Sequence, residues 1–308
     1  MDDRYTPVED YAQSSNSLFH FMSKELYLQQ ALQLRALMPR YCMEKIDYLE
    51  LGNEVEKYTD ALVLQKCFCD IPFHQLAESV PVQGTGELFA SLNQSEKEEI
   101  EKRSTHFDLY GNYAISFSKA WGENKGLQPI QYLNPKSSYR KCFSNAFRDA
   151  WSAEDISEGI GQDILSRISF CKPLRGIMQR QYSRRDGSPV KVEIIKNFRD
   201  ECEWRYVPPH DILTTCGFPG IVANPSVFQL ANEMNERIEK DDCRHLWLNF
   251  DYDDIRYLVV PDGASRISLI NTITDLPDSR FREDENASLQ KSILISKILV
   301  LNEIRKDW

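Results

Sequence analysis

The stretch from Ala61 to Ile71 (ALVLQKCFCDI) constrains the fold of this chain more than any other. It is apolar over most of its length, its Cys67, Cys69 and Ile71 alternate onto one face, and Pro72 stops it. That pattern is a buried strand, and further strand candidates lie on either side of it in the sequence. Leu18-Phe19-His20-Phe21, Asn112 to Phe117, and Pro129 to Leu133 read as strands. Val190 to Ile195 and Cys202 to Val207 read as strands near the turn Arg184-Arg185-Asp186-Gly187-Ser188-Pro189. His245 to Phe250 and Ile255 to Val260 form a late pair, followed by a turn at Pro261-Asp262-Gly263.

Helical patterns interrupt these strands. Ser23 is placed to cap a helix to about Met38, with Leu28, Ala31, Leu34 and Met38 at helical spacing and Pro39 as its stop. A loop around Gly84 and Gly86 leads to an exposed helix over the charged run Glu96 to Arg103. Ser118 to about Asn124 is a short helix ended by Gly126, and 136–169 is polar with some helical periodicity. Asn224 and Pro225 open a helix with Val227, Leu230, Met234 and Ile238 as its apolar stripe. The chain is helical again from about Ala287. Strands and helices interleave without the regular alternation of a doubly wound sheet, so the expected class is α+β. No internal repeat is visible.

Composition narrows the function classes. The 308 residues carry 37 Lys and Arg against 47 Asp and Glu, a net charge of −10. This excludes a general nucleic-acid coat, which needs clustered cations. Eight cysteines lie at Cys42, Cys67, Cys69, Cys142, Cys171, Cys202, Cys216 and Cys243, with no Cys-x-x-Cys pair to suggest zinc. Free thiols in a reducing compartment are the simpler account. Met1-Asp2-Asp3-Arg4 is unlike a signal peptide. The longest apolar run, Ile293 to Leu301, is broken by Ser296 and Lys297 and is far shorter than the ~20 residues a membrane span needs. The expectation is a cytoplasmic protein with no membrane partner.

No phosphate-binding loop, nucleophile elbow or His-Glu-x-x-His occurs. The most chemically pointed segment is Glu201-Cys202-Glu203-Trp204-Arg205. At the start of a strand, Glu201, Glu203 and Arg205 share one face and Trp204 points to the core. Paired carboxylates suit acid–base work or stabilisation of a developing cation. Taken alone, the commoner role of such a segment is a strand-end Glu–Arg pair. His20, a lone histidine in an apolar strand, is by the same standard more often a hydrogen-bonded core residue. Asp70 ends its strand where a carboxylate can face a cleft. Lys172, Arg175, Arg180, Arg184 and Arg185 form the densest basic stretch, a phosphate contact or a solvated loop. Asp251, Asp253 and Asp254 raise a metal-dependent nuclease reading, although acidic turns usually sit in solvent.

Several segments in order resemble one family: Leu18-Phe19-His20-Phe21, Pro39-Arg40-Tyr41-Cys42, Cys67 to Pro72, Gly111 to Gly126 (GNYAISFSKAWGENKG), Glu203 to Pro208, and Phe250 to Ile255. Together, over roughly residues 17 to 275, they are similar to the AbiGi-like abortive phage-resistance family. A more distant resemblance is to the ADP-ribosyltransferase superfamily. It implies a pair of small mixed sheets flanked by helices over 18–275, after a loose arm at 1–17 and before a C-terminal helix at 276–308. It also implies NAD as substrate. Glu203 would be the catalytic carboxylate and Glu201 would orient the acceptor. His20, Tyr113 or Ser116, Asp70 and Arg205 would make up the NAD pocket.

Two functions follow as expectations. One is a toxin that ADP-ribosylates an RNA, DNA or protein target. The other is a non-catalytic antitoxin, in which Glu203 and Arg205 are a structural pair and the cognate partner is a toxin resembling a nucleotidyltransferase.

Overall fold

A computed structural model describes residues 14–52, 57–102, 104–152, 163, 166–184, 186–223, 225–282 and 286–307. The expectations for 1–13, Arg103, 153–162, Arg185 and Asn224 lie outside the described residues.

Residues 61–69 of the Ala61 run lie in the strand Asp60–Cys69, which ends two residues before the expected Ile71 and is the centre of a nine-stranded sheet. Its first half pairs with Arg40–Lys45 on one side and Ile221–Val222 on the other. Its second half pairs with Ser17–Met22 and Glu203–Tyr206, through Phe19 and Glu203 at Cys69. The sheet continues from Ser17–Met22 to Tyr113–Ser118, Ile255–Val260 and Ile298–Val300, the last pair being parallel. Ala61, Leu62, Val63 and Leu64 are buried because neighbours pack on both faces, which is why the run is continuously apolar.

The pleat sorts the core into two layers. Leu18, Phe68, Ile115, Phe117 and Trp204 face a layer that includes Leu28 and Leu32 of the helix Glu25–Leu34, Leu269 and Ile273 of Gly263–Thr274, and Leu294 of Ala287–Ser296. Phe19, Cys69, Ala114 and Val259 face the other side, against Phe107 and Leu301. Beside the main sheet stands a three-stranded sheet in the order Arg175–Ser183, Pro189–Asn197, Val82–Thr85. Three two-stranded ladders complete the strands of the described residues.

The mixed α and β class is as expected, but the layout departs from a pair of small sheets. The first helix is shorter than its periodicity suggests. It ends at Leu34, where Arg35 takes a left-handed conformation (φ 52°) and its N–H caps Ala31 and Leu32 carbonyls. Ala36 and Leu37 then pair with Asn249 and Leu248, so tertiary pairing overrides the helical spacing. Ser23 does not cap; Lys24 occupies that position without a side-chain bond. Val82–Thr85, expected as loop, is a strand, and Gly84 is required there because a Cβ would meet the Phe89 ring at 2.0 Å.

The basic stretch is largely strand. Arg175–Ser183 pairs over its whole length with Pro189–Asn197 through the expected turn. Pro129 to Leu133 breaks in two at Ile130: Gln128–Pro129 joins the main sheet, and Gln131–Leu133 pairs with Cys171–Pro173. Of His245 to Phe250, His245 and Leu246 end the 3-10 turn Asp241–Leu246, and only Leu248–Asn249 is strand. The 276–308 segment contains two helices, Ala287–Ser296 and Leu301–Asp307, separated by the sheet strand Ile298–Val300.

Candidate functional site

The strand Glu203–Tyr206 begins after a 3-10 turn at Phe198–Glu201, and Cys202 joins the two in a left-handed conformation (φ 43°). Glu201 therefore precedes the strand rather than starting it, yet its carboxylate still meets that of Glu203 at a shared cation. Lys172 Nζ donates to Glu201 Oε2 at 2.9 Å and to Glu203 Oε2 at 3.0 Å. Arg205 Nε donates to Glu203 Oε1 at 2.6 Å, and its Nη2 donates to Glu44 Oε1 at 3.0 Å. Lys196 Nζ donates to Glu201 Oε1 at 3.1 Å, and Tyr110 Oη donates to the same oxygen. Arg205 Nη1 reaches the Ser169 carbonyl, and the Glu203 N–H donates to Tyr132 Oη.

This is a charge-balanced cluster: Glu44, Glu201 and Glu203 face Lys172, Lys196 and Arg205. Glu201 and Glu203 are each 3% exposed and Arg205 is fully buried. Burial alone would raise both carboxyls. Arg205 and Lys172 outweigh it at Glu203, and Lys172 and Lys196 outweigh it at Glu201, so both are held below the usual carboxylate range. Burial likewise opposes the charges on Lys172 and Arg205, and the glutamates overcome it, raising both cations. Glu201, Glu203, Lys172 and Arg205 are thus each held in the charged form. The cluster draws Lys196 from the three-stranded sheet, Lys172 from the Cys171–Pro173 strand, and Glu44, Glu203 and Arg205 from the main sheet.

The other residues singled out by sequence are dispersed. Ser116, Phe19, Cys69 and Glu203 are register partners in one row across four strands, so their side chains share a face. Three strand spacings, roughly 14 Å, separate Ser116 from Glu203. Ser116 Oγ instead accepts the Tyr257 N–H at 3.0 Å. His20 and Tyr113 lie on the opposite face. His20 Nδ1 bonds the Cys67 carbonyl at 2.8 Å, and its ring lies beside Phe68. Burial and the neighbouring Lys66 ammonium push its imidazole down to about 3, so it is neutral near pH 7. Tyr113 Oη shares a hydrogen bond with Ser265 at 3.2 Å. Asp70 pairs with Lys119 at 2.5 Å, with both side chains at least nine-tenths buried. Trp204 packs into the core as expected.

Sequence reasoning missed Lys196, Glu44 and Tyr110 and placed Lys172 only in a basic stretch. One signal was available. Lys196 continues the inward alternation of Val192 and Ile194, an unusual position for an ammonium unless it is paired. Arg180 of the same basic stretch is also buried, donating to the Ile100 carbonyl. The acidic turn is exposed: Asp251 and Asp254 cap one another's backbone, and Asp253 pairs with Arg282. No group of acidic, histidine or cysteine side chains among the described residues is arranged to hold a metal ion. No helix among them is long and apolar enough to cross a membrane.

Comparison with known proteins supplies the family. No solved structure matches the chain. The family described as "abortive phage resistance protein AbiGi, antitoxin" matches residues 95–261. The abortive phage resistance protein AbiGi of Lactococcus lactis subsp. cremoris is 30% identical over 281 residues, covering 89% of this chain and 100% of the relative. The matched region contains Lys172, Lys196, Glu201, Glu203 and Arg205. The chain belongs to the AbiGi family of abortive phage resistance proteins.

Proposed function

We propose that this protein is the antitoxin half of an abortive-infection pair, acting inside the cell by binding a toxin protein. The observation that carries the reading is the state of Glu201 and Glu203. Both are buried, ionised and already neutralised by Lys172, Lys196 and Arg205. A carboxylate that stabilises a cation forming on a substrate must face that substrate with charge to spare. These two carboxylates instead join sheets. The family description, which names an antitoxin, points the same way.

The ADP-ribosyltransferase alternative asks His20, Tyr113, Ser116, Asp70, Arg205 and Glu203 to line one NAD pocket. Their side chains divide between the two faces of the sheet, and Asp70 is engaged by Lys119. The geometry favours the binding role over that one.

Co-expression with the toxin of the pair tests the proposal. The expected result is that the chain is harmless alone and restores growth to cells carrying the toxin. Growth arrest by the chain itself, relieved by Glu203→Gln, would overturn it.

A further inference from the structure

An apolar cluster away from the charged site holds two thiols. Leu213, Phe218, Ile238, Leu246 and Trp247 pack there on Tyr41, Leu62 and Leu64 of the main sheet. Cys243 is buried within this cluster, and the partly exposed Cys216 packs against it. The two thiols come from different elements. Cys216 ends the helix His210–Cys216, and Cys243 lies in the 3-10 turn Asp241–Leu246, which packs on that helix. Arg237 connects them. Its Nη2 donates to the Cys216 carbonyl at 3.3 Å, and its guanidinium lies over the Phe218 ring at 4.7 Å. Its own carbonyl accepts the Lys240 N–H, and the Lys240 carbonyl accepts the Cys243 N–H at 2.9 Å. Burial and Asp242 push the Cys243 thiol up, and the Arg237 charge acts against them. Other thiols are held apart by strand geometry. Cys67 and Cys69 share one extended strand, and Cys42 lies opposite Val63, four residues from Cys67.

We propose that Cys216 and Cys243 form a reversible oxidation site, reduced at rest and joined as a disulfide by hydrogen peroxide. Cys216 reacts first because it is the more exposed of the two. Its thiolate sulfur attacks one peroxide oxygen and the O–O bond breaks, leaving Cys216 as a sulfenic acid and releasing hydroxide. The proton given up by the Cys216 thiol turns that hydroxide into water. The Cys243 sulfur then attacks the Cys216 sulfur. The S–S bond forms, the S–O bond breaks, and the sulfenic oxygen leaves as water with the Cys243 proton. Two thiols have then lost two electrons to one peroxide, which ends as two waters. The new bond ties the last turn of the helix His210–Cys216 to the turn Asp241–Leu246. Excess thiol reverses it by exchange. The inference does not depend on the antitoxin reading.

The test is peroxide treatment of the folded full chain, then alkylation of the remaining thiols in denaturant, digestion and mass spectrometry. Wild type is expected to lose two of its eight free thiols and to yield a cross-linked Cys216–Cys243 peptide that dithiothreitol removes. Cys243→Ser is expected to leave Cys216 as a sulfenic acid that dimedone captures. Cys216→Ser is expected to keep Cys243 reduced. A chain unfolded in urea before treatment is expected to show no preference for this pair. Folded wild type that gives no such peptide, or a different cysteine pair as its main product, would overturn the proposal. So would the same mixture of products from folded and unfolded chain.

Discussion

Arg205 Nε lies 2.6 Å from Glu203 Oε1, two residues apart on one strand face, with both side chains sealed from solvent. A charge pair so placed is costly to assemble and more costly to break. Glu203→Gln leaves Arg205 and Lys172 under-compensated in the interior. It is expected to destabilise the protein by about 3–5 kcal/mol, measured by urea unfolding. Arg205→Met should fall in the same range. The double variant should lose less than the sum of the two, by about 1–3 kcal/mol of coupling. Strict additivity would separate the two residues.

Acid should unfold the protein partly through this cluster. The carboxyls of Glu201 and Glu203 sit below their ordinary value of 4.5 when folded. Their stabilisation is therefore complete above about pH 4.5 and is lost as pH falls through the folded values. Urea midpoints measured below pH 4.5 should fall steeply in wild type and less steeply in Glu203→Gln. Parallel curves would remove the cluster from the acid transition.

A separate window belongs to His20. Its imidazole is lowered from 6.5 to about 3 on folding. Between those values the unfolded chain binds a proton that the folded chain refuses, so stability falls as pH drops below 6.5 and is flat above it. The slope per histidine is at most ~1.4 kcal/mol per pH unit. His106, lowered to about 4 mainly by burial, acts in the same direction. His20→Asn retains a donor for the Cys67 carbonyl and should flatten the profile between pH 4.5 and 6.5. An unchanged slope there would assign the effect to other groups.

The turn between the two glutamates can be tested through its backbone. Cys202 holds φ at 43°, which a β-branched residue adopts only with strain. Cys202→Val should cost about 1–2 kcal/mol, whereas Cys202→Gly should stay within ~1 kcal/mol of wild type. Thermal unfolding of the two variants checks this. If valine is tolerated as well as glycine, the conformation carries no strain.

Local patterns carried much of this fold. The apolar Ala61–Ile71 run and Pro72 were enough to find the central strand, because a strand buried on both faces has no polar side to hide it. Two-residue alternation also placed Trp204 in the core and set Arg205 beside Glu203. What alternation could not supply was the identity of their partners. Lys172, Lys196 and Glu44 reach the pair through sheet registers set by contacts far apart in the sequence. Without them, two neighbouring carboxylates resemble a catalytic pair, and only the cations show that their charge is already used. Arg175–Ser183 was obscure for a related reason. Its buried Arg180 breaks the apolar pattern that marks an inward face.

The most direct test of the central claim is to express this chain alone in bacteria and follow growth together with cellular NAD. If Glu201 and Glu203 serve the fold and the protein acts by binding a toxin, growth and NAD should match an empty-vector control. Arrest of growth with loss of NAD, both reversed by a soluble, folded Glu203→Gln variant, would contradict that account.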